Sequence, residues 1–253
     1  MPTCSRVCPK SDKSPSRAKV NAPVTKPNQI DEVVAAALSD DPERALAVLH
    51  APAAARPALA ALFALDRHLG GIVAGTTQPA IGQMRLLWWR DALAALDAAP
   101  PPAEPLLAAV ARALLPAGVS GAELAAMIEG WAVLLDADML DPDAIAAHGR
   151  GRGAVLFALA ARLLAGGGDV AAAGEGWALA DLAARLSEPG AAATAWRQAQ
   201  ARFADAPRRW PRRLRAIGML AMLARVDAAR AERPARGTPG RVLRMLAHRL
   251  SGR

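Results

Sequence analysis

An all-α fold in a single domain is what this sequence predicts, on three observations. The composition is Ala-rich, with no Tyr and only 3 Phe, whereas β-rich folds lean on β-branched and aromatic residues. Cap-and-proline breaks recur regularly from residue 30 onward, and the segments between them carry apolar residues at helical spacing. With 253 residues, 53% of them apolar and 21% charged, the chain can bury a sizeable core and is not disordered as a whole. The two cysteines, Cys4 and Cys8, stand at the N-terminus with no His or further Cys nearby, which excludes a disulfide scaffold and a Cys-based zinc site. No uncharged apolar run reaches 18 residues, against a membrane-spanning helix, and the N-terminus lacks the apolar stretch of a signal peptide.

The elements follow in order. Residues 1–29 carry six Lys/Arg against one Asp, with five Pro and four Ser, and are expected to form a disordered basic tail; so many prolines deny the amphipathic helix of a mitochondrial transit peptide. Every cation beyond Lys26 is Arg, which places a boundary near residue 29 and the folded domain at 30–253. Asp41-Pro42-Glu43 is a helix start, with an Asp cap, Pro at the first helical position and an acid facing the positive end of the dipole. Arg56-Pro57 opens a helix towards Val73. Pro79 opens another, through Trp88 and Trp89 to Leu96, stopped by Pro100-Pro101-Pro102. Further helices are expected over 104–115, 121–137, 142–165, 171–187, 190–204, 208–231 and 239–250, with Gly166-Gly167-Gly168 as a loop. No period of 20–50 residues recurs, so a solenoid is excluded.

Charge is distributed unevenly. Residues 30–201 carry 11 Arg against 19 acids, and residues 202–253 carry 14 Arg against three. Asp136, Asp138, Asp141 and Asp143 offer oxygen ligands for a divalent cation, or else end one helix and cap the next. His50, His68, His148 and His248 are never paired at i, i+4, so no zinc helix motif exists and each reads as structural. No nucleophile elbow, Walker A or dinucleotide-binding glycine motif is found. The run Gly149–Gly153 (GRGRG) looks like a nucleic-acid segment but falls inside a helical region. Within 239–250, Val242, Leu243, Leu246 and Leu250 repeat at helical spacing beside Arg241, Arg244 and Arg249. Such a basic amphipathic helix can lie on an anionic leaflet, making these three arginines membrane-surface candidates; alternatively the apolar stripe packs on the domain. Trp210 is the lone aromatic residue in residues 208–253, too few to stack bases, so nucleic acid is not expected as a partner.

Four segments carry a resemblance. Leu62–Ala74 (LFALDRHLGGIVA) is similar to the first motif of the squalene/phytoene synthase family, whose members carry an Arg, two intervening residues and then Asp-Asp-Ile-x-Asp. Gln78–Leu93 (QPAIGQMRLLWWRDAL) resembles the divergent branch of that family which includes the mitochondrial complex I assembly factor. Ala147–Phe157 (AHGRGRGAVLF) resembles the family's Gly-containing mid-chain helix, and Gly176–Leu182 (GWALADL) the helix bearing its second motif. The resemblance implies the all-α isoprenoid synthase fold of the trans-prenyltransferase type. The implied activity joins two prenyl diphosphates head-to-head, with Mg²⁺ held by acids on two facing helices so that diphosphate can leave.

Those acids are missing. Counted from Arg67, the family's Asp-Asp falls on Gly70-Gly71 and its third Asp on Ala74. Counted from Asp181, the second motif's acids fall on Arg185 and Pro189, with Glu188 surviving between them. The resemblance therefore implies a pseudoenzyme with no catalytic residues and no metal or other cofactor. Mg²⁺ enters only if a remodelled site, built from Asp136, Asp138 and Glu188, keeps a prenyltransferase active. Arg67, Arg85 and Arg90 are candidates to contact anionic groups, with Asp138 and Glu188 as further ligand-binding candidates; Arg85 and Arg90 can equally be solvated or paired with Asp91. Of the adjacent tryptophans 88 and 89, one is expected to pack inward and one to lie on the flank. Three functions stay open: a non-catalytic assembly or scaffold protein with a protein partner, by resemblance a respiratory-complex subunit; a prenyltransferase with a remodelled site; and a peripheral lipid-binding module. The expected location is cytoplasmic, peripheral on the inner membrane.

Overall fold

Proline and a capping acid set most of the helix starts. The computed structural model describes residues 32, 34–36, 38–136 and 140–253. The expected tail with Cys4 and Cys8, and the candidate Asp138, lie outside the described residues. Helix α1 (Pro42–His50) is capped by Asp41, whose carboxylate accepts from Arg44 N at 3.2 Å. A 3-10 turn at Ala53–Ala55 leads into α2 (Arg56–Ala74), and α3 (Pro79–Ala95) follows. The cap of α4 (Pro105–Leu114) is Glu104, and α5 (Gly121–Ala125) starts on a capping box between Ser120 and Glu123. Helices α6 (Met127–Asp136) and α7 (Pro142–His148) come next. Asp141 caps α7 through Ala144 N at 2.7 Å, and Asp136 accepts from Gln83 Nε2; these acids thus end one helix and begin the next. A π-helical turn, Gly149–Ala154, runs directly into α8 (Val155–Leu163). The chain closes with α9 (Ala171–Ala183), α10 (Pro189–Asp205), a 3-10 turn at Arg212–Leu214, α11 (Arg215–Arg230) and α12 (Pro239–Ser251).

Two helices organise the centre. Helix α2 packs on α4, α6 and α8, and α9 packs on the π turn, α10 and α11. Between residues 58 and 70 nearly every side chain of α2 is buried, and α9 is buried along most of its length. With its leading turn, α2 is long and apolar enough to cross a bilayer, yet it is a core helix, with Asp66 fully buried at its middle. Trp89 packs inward and Trp88 stays 47% exposed, the division expected for neighbours on a helix.

Several boundaries differ from the sequence expectation. The helix expected over 121–137 is two, breaking at Ala126. The one expected over 142–165 contains the π turn, and that expected from 208 begins at Arg215. The helix expected over 171–187 ends at Ala183, because Pro189 disfavours helical backbone at residue 188 and Glu188 becomes the cap of α10 by accepting from Gly190 N and Ala191 N.

Helix α12 is turned differently from the expected apolar stripe. Leu243 and Leu250 are 66% and 81% exposed, while Arg241, Met245 and His248 are buried. Arg241 is therefore not a membrane-surface residue. Its guanidinium is drawn inward by Glu43 (2.5 Å) and Asp227 (2.6 Å). Arg244 stays on the exposed face and Arg249 is half-buried.

Candidate functional site

At the middle of α2 an aspartate interrupts an otherwise apolar run, and a buried carboxylate demands partners. Asp66 accepts from Arg44 Nη2 at 2.7 Å, from Arg152 Nε and Nη2 at 2.9 Å each, and from Trp131 Nε1 at 3.3 Å. Burial alone would raise this carboxyl, but Arg152 and Arg44 outweigh burial and hold it at about 2. Arg152 is as deeply buried as its partner. Its guanidinium lies 4.2 Å from the Trp131 ring centroid and 4.7 Å from that of Trp177, and Nη1 reaches Asp181 at 2.9 Å. One guanidinium thus bridges the central acids of α2 and α9. Beside it, His148 Nδ1 donates to Gly130 O at 2.5 Å; burial first, then Arg152, lowers its pKa to about 3, so the ring is neutral.

Glycines make the room for this arginine. A Cβ on Gly130 would lie 2.3 Å from Arg152 N, and one on Gly153 would lie 2.2 Å from Gly174 O. The GRGRG run is therefore a backbone-to-backbone packing surface, holding α6 on one side and α9 on the other. The π turn presents Arg152 between them.

The far side of Asp181 is closed by the segment between α11 and α12. Arg233 Nη1 and Arg236 Nη2 donate to Asp181 Oδ1 at 2.7 Å each, and Arg185 Nε at 3.3 Å. Burial opposes ionisation of Asp181, but these guanidiniums, Arg152 foremost, keep its pKa well below the ordinary value. Arg236 also reaches Asp41 at 2.7 Å, which sits 3.3 Å from Arg44 Nε. Next to them lies the Glu43–Arg241–Asp227 cluster. Four carboxylates (Asp41, Glu43, Asp181 and Asp227) and their arginines surround a cavity of about 30 Å³, room for about two water molecules and not for a prenyl chain.

The positions expected to matter are dispersed. Gly70 is buried, and a Cβ there would lie 2.7 Å from Trp131 Cη2, while Gly71 and Ala74 face solvent. Arg185 pairs with Asp181; Pro189 begins another helix and Glu188 caps it. Arg67 lies at the edge of the ionic cluster, 3.7 Å from Asp41. Arg85 lines a groove with His68, Ile72 and Trp88. Arg90 lines another with Met84 and Leu87, paired to Asp91 at 3.2 Å. The structure does not bring these three arginines together.

Mg²⁺ does not fit this arrangement. Glycine and alanine supply no side-chain oxygen at the first motif. The two central acids, Asp66 and Asp181, have arginines where a cation would sit, and among the described residues no three His, Cys, Asp or Glu side chains are grouped to hold a metal. With every central carboxylate compensated and the nearest imidazole neutral and hydrogen-bonded, the cluster holds charge in place and offers no free base. Asp66, Asp181, Arg44, Arg152, Arg233 and Arg236 were not among the residues expected at a site. The available signal was an acid inside an apolar run (LFALDRHL, GWALADLAARL), which calls for a buried cation from elsewhere in the chain.

Comparison with curated proteins and with solved structures returns no match. A family model described as squalene/phytoene synthase matches residues 39–186. That span includes both central acids, Arg44 and Arg152, and stops short of Arg233, Arg236 and Arg241. The match covers more than half of the chain and agrees with an all-α domain whose two central helices are bridged by Arg152: the protein belongs to the squalene/phytoene synthase family.

Proposed function

We propose that this protein is a non-catalytic member of its family, acting as a scaffold or assembly protein. By its resemblance to the complex I assembly branch, its partner is a respiratory-complex subunit met in the cytoplasm at the inner membrane. The observation that carries the reading is Arg152, fully buried and bonded at 2.9 Å to both Asp66 and Asp181. Prenyl-diphosphate chemistry needs concentrated positive charge facing an open cavity that admits phosphate oxygens; here the positive charge is internal and already neutralised. The Trp131 ring also fills the space beside Gly70 that an added side chain would need. An assembly protein instead needs exposed apolar surface, and Ile81, Met84, Leu87 and Trp88 provide it on α3, within the segment that most resembles the assembly branch. The test is incubation of the purified full chain with farnesyl or geranylgeranyl diphosphate and Mg²⁺, followed by product extraction. No condensation product is expected; a squalene- or phytoene-like product would overturn the reading.

A peripheral membrane role is favoured by one further observation. Leu243 and Leu250, two helical turns apart on α12, are exposed together with Arg244. An apolar pair beside a cation is the arrangement of an interfacial helix.

A further inference from the structure

Four chain segments converge on one pocket, and three of them bring arginines. His50 and Leu49 come from the end of α1, Arg56 from the start of α2, Arg212 and Arg213 from the 3-10 turn, and Arg249 from the end of α12. The pocket has a volume of about 350 Å³ and no carboxylate in its lining. None of the four arginines forms an ion pair with any described residue. This contrasts with the core, where the arginines around Asp66 and Asp181 are paired. Two of the four are fixed by backbone carbonyls: Arg56 Nε donates to Ala51 O and Arg213 Nη1 to Ala165 O, each at 3.0 Å. Arg249 Nε is buried without a hydrogen-bond partner. Convergence of the charges is felt by His50, whose pKa is lowered by burial and then by Arg249 and Arg56.

Guanidiniums held at close quarters without a counter-charge repel one another, and an oxyanion relieves that repulsion while accepting bidentate hydrogen bonds. Apolar residues stand at the same place. Leu49, in the pocket wall, is 57% exposed. Leu250 follows Arg249 directly and continues the exposed apolar face of α12. A phosphate group with an acyl chain attached satisfies both features.

We propose that this pocket binds the phosphate headgroup of an anionic phospholipid in a bilayer, with Leu49 and Leu250 entering the acyl boundary. The site rests on the peripheral-membrane reading and places the headgroup contact in the pocket beside Leu250, at the C-terminal end of the exposed α12 face. It is independent of whether the protein is catalytically inert.

The experiment is flotation of the full chain with phosphatidylcholine vesicles, with and without phosphatidylglycerol. Binding is expected only to the anionic vesicles. Arg212→Ser/Arg213→Ser/Arg249→Ser should weaken it roughly a hundredfold, since three cations near the surface are lost. Leu49→Ser/Leu250→Ser should weaken it as well. Arg208→Ser/Arg209→Ser/Arg230→Ser, which removes the same charge outside the pocket, should change it by no more than about threefold. Circular dichroism melts of each variant establish that it is folded. Vesicle binding that withstands the pocket substitutions would discard the pocket while keeping the peripheral reading; no vesicle binding by the unaltered chain would discard both. Two further arms separate the sources of phosphate. If inorganic pyrophosphate or a single-stranded oligonucleotide binds through these arginines while vesicles do not, the lipid assignment is wrong.

Discussion

Arg152 holds two acids that lie on different helices, and its loss would be felt by both. With Arg152→Met the apolar volume is nearly kept, but Asp66 loses its two-point contact and Asp181 its central partner. Breaking a buried ionic set by removing one member costs about 3–5 kcal/mol, so chemical denaturation should show a loss of that order. Arg152→Lys should recover little, because an ammonium cannot span the fork that a planar guanidinium fills. Adding Asp66→Asn to Arg152→Met should restore part of the loss, so the two substitutions would be far from additive. The same crowding governs Gly70. Gly70→Asp places a Cβ against the Trp131 ring and a charge among apolar neighbours, so it should lower the melting temperature without conferring Mg²⁺ binding in a calorimetric titration. At this scale the two central acids, though not expected at the site, were marked in the sequence, since a carboxylate inside an apolar run stands out. Their cation was not. Arg152 is 86 residues from Asp66, and its local context, GRGRG inside a helical region, gives no sign of a buried cation.

Helices meet here along glycine seams, and the seams distinguish glycines that look alike in sequence. Gly153→Ala would drive a methyl group into the Gly174 carbonyl, and overpacking of this kind costs about 1–3 kcal/mol. Gly71 lies on α2, with nothing within 4 Å of an added Cβ. There Gly71→Ala should stabilise the protein by about 0.5–1 kcal/mol through helix propensity and a less flexible unfolded chain. Thermal melts of the two variants should therefore move in opposite directions. Helix starts were legible because prolines and capping acids mark them chemically. Ends and interruptions were harder to see. The end of α9 depended on which residue Glu188 would serve, and the π turn is a change of hydrogen-bond register that no residue type announces. The face of α12 was misjudged because leucines outrank an arginine on any hydropathy scale. In the fold, Glu43 and Asp227 reverse that order at Arg241.

For the whole molecule, these buried groups set the response to acid. His148 is held neutral at about 3 and His248, buried and near Arg215, at about 4, against 6.5 for a free imidazole. The unfolded chain binds these protons more readily, so their contribution is complete above pH 6.5 and declines as pH falls, for His148 by about 1.4 kcal/mol per pH unit. Asp66 adds a second loss between about 4 and 2, as its carboxylate is protonated first in the unfolded chain. The melting temperature should fall steadily from pH 7 to pH 4, and His148→Gln should make that fall shallower; a flat profile would contradict the burial of a neutral His148. The Glu43–Arg241–Asp227 cluster has a consequence in time as well. Glu43 and Arg241 are 198 residues apart, so nearly the whole chain must be arranged before they can meet, and loop closure of that length brings no reward until then. Their contact should be absent from the rate-limiting barrier to folding. Arg241→Met would then leave the refolding rate unchanged and show its whole effect as faster unfolding, making this ionic cluster the clasp that determines how long the native molecule persists.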